Sequence, residues 1–226
     1  AVRGARLIRF VQFVRAVFVC NTVSLGAPRR QSDVDVFIVL RQGRLWISRL
    51  LVTAIMTVGK LRRSKKNVAD KVCLSFYVTD SHLNLQRVAA GDPDIYLIYW
   101  LAHLEPVYDP EHLRGGLMHE NKWMSAYAPS ALNTFDLLSR WRVSDSIFSR
   151  IPRQVGEWVL SGFLGEGIEQ LARAFQRWHM GHNTGSIQDE HDTRVVIDDT
   201  MLKFHENDRR ELFRSQWLER CKTFLV

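Results

Sequence analysis

Two carboxylates, Asp33 and Asp35, open the uninterrupted apolar run Val34–Leu40. The length and apolar character of the run predict a strand. Strand side chains alternate faces, so residues two apart point the same way. Any fold of this chain must therefore accommodate two like charges on one side of an otherwise apolar strand. That is costly unless positive charge lies between them. A hard divalent cation meets the need, and Mg²⁺ is typically held by one or two carboxylates plus substrate phosphates. Upstream, the apolar residues 16–20 lead into a turn over 21–26 that ends at Gly26. Such a turn offers backbone N–H groups to a phosphate.

The pattern around these residues predicts alternating helices and strands. Residues 3–14 read as a helix with Leu7, Phe10, Val11 and Val14 on one face and Arg3, Arg6 and Arg9 on another. Strands are expected over 15–20, 33–40 and 72–78. A helix is expected from 44 to 58, stopped by Gly59. Asp92-Pro93 is read as a helix start for 94–103, with Pro in the permitted first turn, followed by a possible strand over 104–108. This order suits an α/β or α+β fold with a mixed sheet, placed in residues 1–110. Residues 111–226 are expected to form a mainly helical region. Within it, 111–125 and 131–141 are short helix candidates. Residues 154–179 form a longer one, weakened by Gly162, Gly165 and Gly167. Residues 181–193 read as a polar loop. Asp208 and Glu211 read as a capping pair for the last helix. Trp46, Trp100, Trp158 and Trp217 fall in apolar helical patterns, where core packing is the default. Trp123 and Trp141 are open to base stacking.

The order Asn21-Thr22, Gly26, Ser32-Asp33-x-Asp35 resembles the nucleotidyltransferase superfold, the polymerase-beta-like group. Its members carry Gly-Ser at a tight turn, a Gly four residues after that Ser, and a Ser-Asp-x-Asp strand. Here Asn21-Thr22 stands in place of Gly-Ser. Asn is among the few residues that tolerate positive φ, and Thr22 keeps the hydroxyl. Three further stretches are similar to a bacterial group of nucleotidyltransferase-like proteins: Gly43-Arg44-Leu45-Trp46, Cys73-Leu74-Ser75-Phe76, and Met201-Leu202-Lys203-Phe204-His205-Glu206-Asn207-Asp208-Arg209-Arg210.

The resemblance implies an Mg²⁺-dependent transfer of a nucleoside monophosphate from an NTP to an acceptor hydroxyl. The acceptor class is open: RNA, a small molecule or a protein. Asp33 and Asp35 would be the catalytic residues and metal ligands. Two ions are possible, at the separation of about 3.5–4 Å common in phosphoryl-transfer sites. Asn21, Thr22, Gly26 and Ser32 would bind the nucleotide. Active members of the superfold usually carry a third acid on a neighbouring strand, yet 72–78 contains none. Cys73 or Ser75 falls at the matching place, while Asp70 and Asp80 flank the strand and Glu105 and Asp109 border the possible strand over 104–108. Two alternatives follow: a catalytically degenerate nucleotide- or RNA-binding relative, and a partner protein of the toxin–antitoxin type.

Other candidates read more simply. Lys60, Arg62, Arg63, Lys65 and Lys66 form a basic cluster, more often a solvated loop than a phosphate site. His179, His182 and His191 match no zinc spacing. Lys203, Arg209 and Arg210 could clamp a triphosphate, and His205 could exchange a proton. Against these stands an ordinary solvated helix start. The net charge of +7 over 226 residues favours polyanionic partners. Three cysteines without a C-x-x-C point to a reducing cytoplasm rather than a disulfide framework. No membrane span is expected, since the longest apolar candidate, Leu45–Val58, falls short of the ~20 residues a bilayer requires.

Overall fold

The apolar runs become the strands of one sheet, and the amphipathic stretches become helices laid against it. The computed structural model describes residues 1–27, 29–132, 141–182, 193–205 and 209–224. Its elements run α1 (Val2–Ile8), β1 (Val14–Val19), α2 (Asn21–Ser24), β2 (Val34–Leu40), α3 (Leu45–Val58), β3 (Val72–Thr79), α4 (Ile95–Ala102) and β4 (Glu105–Tyr108). These are followed by α5 (Leu113–Glu120), α6 (Ile147–Val159), α7 (Phe163–Gly181), β5 (Val195–Ile197), β6 (Met201–Phe204) and α8 (Arg210–Phe224). The expectations for His191, for the Asp208 cap and for most of 131–141 and 181–193 lie outside the described residues.

The architecture is mixed α/β, with a six-stranded sheet in the order β4-β1-β2-β3-β6-β5. β1 runs antiparallel to β2 and β4, β2 and β3 are parallel, and β6 runs antiparallel to β3 and β5. Burial on both faces explains why β2 reads as continuous apolar sequence rather than an alternating one. On one face Ile38, Leu40 and Tyr77 pack with Trp46 and Met56 of α3 and Ile8 of α1. On the other, Phe37 and Phe76 pack with Leu97, Trp100 and Leu101 of α4. Phe37 meets Phe76 and Trp100 edge-on at 5.0 and 5.5 Å, a favoured aromatic geometry.

Four expectations change. The first helix ends at Ile8 rather than 14, because Phe13 turns into the left-handed region at φ 64° and Val14 already belongs to β1. Pro93 lies before the helix start, in a cis peptide with Asp92. The N-cap of α4 is Asp94, whose carboxylate accepts from the N–H groups of Leu97 and Ala90, both at 2.9 Å. The region after 110 is not only helical: β5 and β6 come from it and extend the sheet beyond β3. The helix expected over 154–179 is a hairpin of two, broken at Leu160 to Gly162. A Cβ on Gly165 would lie 1.7 Å from the Leu160 carbonyl oxygen, so this tight reversal requires glycine there.

The hairpin also reverses the expected packing. Trp158 is exposed, as are Ile147, Val155, Phe163, Leu171 and Trp178. The inward face is polar and tied to the body of the protein by hydrogen bonds. Glu169 accepts from the backbone N–H groups of Trp46 and Ile47 at 2.8 and 2.9 Å, capping the N-terminus of α3. The Gln176 amide donates to the Trp46 carbonyl at 2.7 Å and accepts from Arg49 at 2.6 Å. Arg44 of the α3 cap donates to the carbonyls of Leu160 and Ser161 and pairs with Glu166 at 3.0 Å. Among the described residues, no helix is long and apolar enough to cross a membrane.

Candidate functional site

Asp33 immediately precedes β2 and Asp35 is its second residue, at the end where β3 begins beside it. The parallel register sets Asp35 opposite Cys73, and a bulge follows before Phe37 meets Phe76. Ligand atoms of Asp33, Asp35 and Cys73 all lie within 4.8 Å of one another. Among the described residues this is the only such group of three or more acidic, cysteine or histidine side chains. Cys73 thus stands where the sequence offered no acid.

The turn expected before the strand is present. Asn21 opens α2 with φ 58°, and Gly26 follows at φ 69°. Only a short polar side chain or none occupies that region readily. The Asn21 amide donates to Asp35 Oδ2 at 2.7 Å, and its oxygen accepts from the Tyr96 hydroxyl at 3.4 Å. Thr22 is exposed beside it. The Ser32 hydroxyl instead accepts from the Arg29 N–H at 3.3 Å and so shapes its own loop.

Positive charge reaches the pair from the basic cluster. Arg63 Nη1 lies 2.8 Å from Asp33 Oδ2 and donates to Cys73 Sγ at 3.6 Å. Its contact with the Cys73 sulfur, with Asp33 beside it, holds the Arg63 guanidinium above its ordinary pKa. Burial raises the Asp35 carboxyl, partly offset by the Asn21 amide and compounded by the Asp33 charge. Burial, with the Asp35 charge, likewise raises the Cys73 thiol. Lys65 and Lys66 are exposed and have the solvated character expected of them.

The candidates for a third acid separate by position. Asp80 accepts from the Gln42 N–H at 2.9 Å, at the opposite end of β2 and β3. Asp109 accepts from the N–H groups of Leu113 and Arg114 at 2.8 and 3.1 Å and caps α5. Glu105 is buried on β4 with Arg114 at 3.6 Å. Glu105 shares this end of the sheet, opposite Val19 of β1, but two strands away from Asp35, while Asp70 is tied to the loop before β2, its N–H donating to the Ser32 carbonyl at 3.1 Å.

Next to the acidic group lies a cleft lined by Asn21, Phe76, Tyr96, Trp100, His205 and Phe213, with Lys203, Arg209 and Arg210 at its wall. Tyr96 and Phe213 stack at 5.6 Å, and His205 meets Phe76 edge-on at 5.9 Å. The three cations differ in how they are held. Arg210 is buried and bound to the Val88 carbonyl at 2.6 Å, to Asp94 at 3.0 Å and to the Thr193 hydroxyl at 2.8 Å. Lys203 is buried and donates to the carbonyls of Thr193 and Arg194. Arg209 is exposed. His179 and His182 lie at the end of α7, against Phe175 and Trp178, and take no part.

No family model matches the chain, and neither a curated protein nor a solved structure matches it.

Sequence reading missed Arg63 and Tyr96 as contributors. Arg63 was masked by its neighbours in the basic cluster. Tyr96 stood inside an apolar helix without a motif.

The donor set suits a divalent cation. Two carboxylate oxygens favour Mg²⁺ or Mn²⁺, while the thiol favours softer ions. Arg63 already sets one positive charge against Asp33 at 2.8 Å, and an ion at this pair would take that place. Asp33, Asp35 and Cys73 are the residues that would hold the ion.

Proposed function

We propose that this chain binds a nucleoside triphosphate with a divalent cation, Mg²⁺ or Mn²⁺, and that its chemistry is nucleotidyl transfer to an acceptor hydroxyl. The convergence of Asp33 and Asp35 beside a left-handed Asn21 that grips Asp35 carries the reading. When bound, the cation would neutralise charge on the triphosphate and on the attacking oxygen. Asn21 orients Asp35 through its amide. Thr22 and the turn to Gly26 face the phosphates. Arg63, half-exposed, presents a guanidinium fork suited to phosphate oxygens once it leaves Asp33. The aromatic wall of Tyr96 and Phe213 offers a surface for the base.

A second reading, nucleotide binding without turnover, is favoured by one observation: Cys73 occupies the register position opposite Asp35. General-base assistance typically contributes about 10²–10⁴-fold, and a thiol whose pKa burial has raised supplies little of it at neutral pH. Asp70 and His205 are the remaining groups to take the acceptor proton.

Calorimetry with ATP and GTP in Mg²⁺ or Mn²⁺ tests the binding. Asp35→Asn should weaken cation-dependent binding at least tenfold with the fold intact by circular dichroism; unchanged affinity ends the metal-site reading. A screen of radiolabelled NTPs against the protein and total RNA tests the transfer. Cys73→Asp should raise any rate toward the general-base range of about 10²–10⁴-fold. Binding without transfer in both wild type and Cys73→Asp selects the second reading.

A further inference from the structure

The outward face of the α6–α7 hairpin is the largest feature unexplained by the nucleotide site. Phe163 at the turn is 93% exposed, Phe148 85% and Trp158 79%, and Leu164, Leu171 and Trp178 continue the stripe. Each large aromatic carries about 150–250 Å², so the face presents on the order of 1,000 Å². That exceeds the roughly 300–600 Å² of the largest apolar patch on an ordinary monomer. The face is not a misplaced core side, because the opposite side of both helices is fixed inward by Glu169, Gln176, Arg44 and the Arg153–Asp145 pair at 2.7 Å.

Charge distinguishes the possible occupants. The carboxylates of the hairpin are turned away or engaged: Glu157 with Arg15 at 3.2 Å, Glu166 with Arg44 at 3.0 Å, and Glu169 on the α3 backbone. Bordering the apolar stripe are the exposed Arg150 and Arg177. A second copy would set these cations against their like, which disfavours the contact. An anionic lipid surface complements them, as it does the net charge of +7. The exposed side chains run the length of the hairpin, from Phe148 at the start of α6 through Trp158 and Phe163 at the turn to Trp178 near the end of α7. The face can therefore lie along the surface with rings in the headgroup region and cations at its rim.

We infer that the α6–α7 hairpin docks the protein on an anionic lipid surface through its outward face, with Phe163 and Trp158 inserted and Arg150 and Arg177 against the headgroups. This stands independently of the nucleotide reading.

The test is co-sedimentation of the full chain with vesicles of phosphatidylcholine alone and of phosphatidylcholine mixed with phosphatidylglycerol, alongside analytical ultracentrifugation without lipid. The wild type should bind the anionic vesicles, with affinity falling as salt rises. Phe163→Glu and Trp158→Glu should each lower partitioning at least tenfold while the circular dichroism spectrum stays unchanged. Arg150→Glu with Arg177→Glu should remove most of the preference for phosphatidylglycerol, each original cation contributing about fivefold. Three results would overturn the inference: wild type that binds neither vesicle, Phe163→Glu and Trp158→Glu variants that bind like wild type, or a stable dimer dispersed by Phe163→Glu without any uptake on lipid. The last would assign the face to a second copy.

Discussion

The sheet and the α6–α7 hairpin solve opposite problems with the same residue types. In the sheet, apolar side chains go inward from both faces, and Asp33, Asp35 and Arg63 meet at one end of β2 and β3. In the hairpin the polar groups go inward, to Trp46, Ile47 and Arg49 of α3, and the aromatics go outward. Core stability in the first rests on apolar burial, roughly proportional to area. Attachment of the second rests on a small number of directional hydrogen bonds, each costly to leave unmade. An apolar stripe therefore does not say which side of a helix is the inside. Buried partners decide it.

Matched substitutions test that contrast. Phe37 is fully buried between Phe18, Phe76 and Trp100, and Phe37→Ala should cost about 3–5 kcal/mol in urea denaturation. A much smaller loss would mean that the aromatic cluster is loosely packed. Glu169→Ala removes the acceptor for two backbone N–H groups of α3, and the expected loss is about 1.5–3 kcal/mol. A value near zero would show that the hairpin is held by something other than its polar face. At the exposed tip, Phe163→Ala should change stability by no more than about 0.5 kcal/mol. A large loss there would mean that the aromatic face is covered.

Acidity sharpens the same contrast. Burial raises the Glu169 carboxyl above its ordinary pKa, against the pull of the Ile47 and Trp46 N–H groups. A raised acid binds its proton more tightly folded than unfolded. Its stabilising contribution is complete below the unfolded value of about 4.3 and is lost as pH rises through the higher folded value. The wild type should therefore gain on Glu169→Gln as pH falls through that window. Parallel stability curves for the two proteins would contradict it.

Sequence made β2 legible because alternation and apolar continuity are local properties. Local signals likewise gave α3, whose predicted end at Gly59 is its observed C-cap, while the positive φ of Asn21 followed from the resemblance, which puts Gly at that place. What sequence left open or missed was set by pairing between distant segments. The parallel register of β2 and β3 decides between Cys73 and Ser75 by setting Cys73 opposite Asp35, and Arg63 reaches Asp33 from a loop that reads as solvent-exposed. β5 and β6 were hidden by their brevity, although the β-branched Val195-Val196-Ile197 followed by Asp198-Asp199 carried a hairpin signal. The orientation of α6 and α7 was illegible because periodicity defines a stripe and leaves its neighbours unnamed.

The place of β6 has a kinetic side. It lies against β3 and brings Lys203 to the wall of the cleft, with His205 close behind, yet a long tract of chain separates the two strands. A ribosome delivers the Asp33–Asp35 strand early and this wall late. Closing so long a loop carries an entropic cost that must be met before the pairing returns anything. The acidic end of the sheet is thus assembled first with one side open, and the cleft acquires its far wall only when β6 docks.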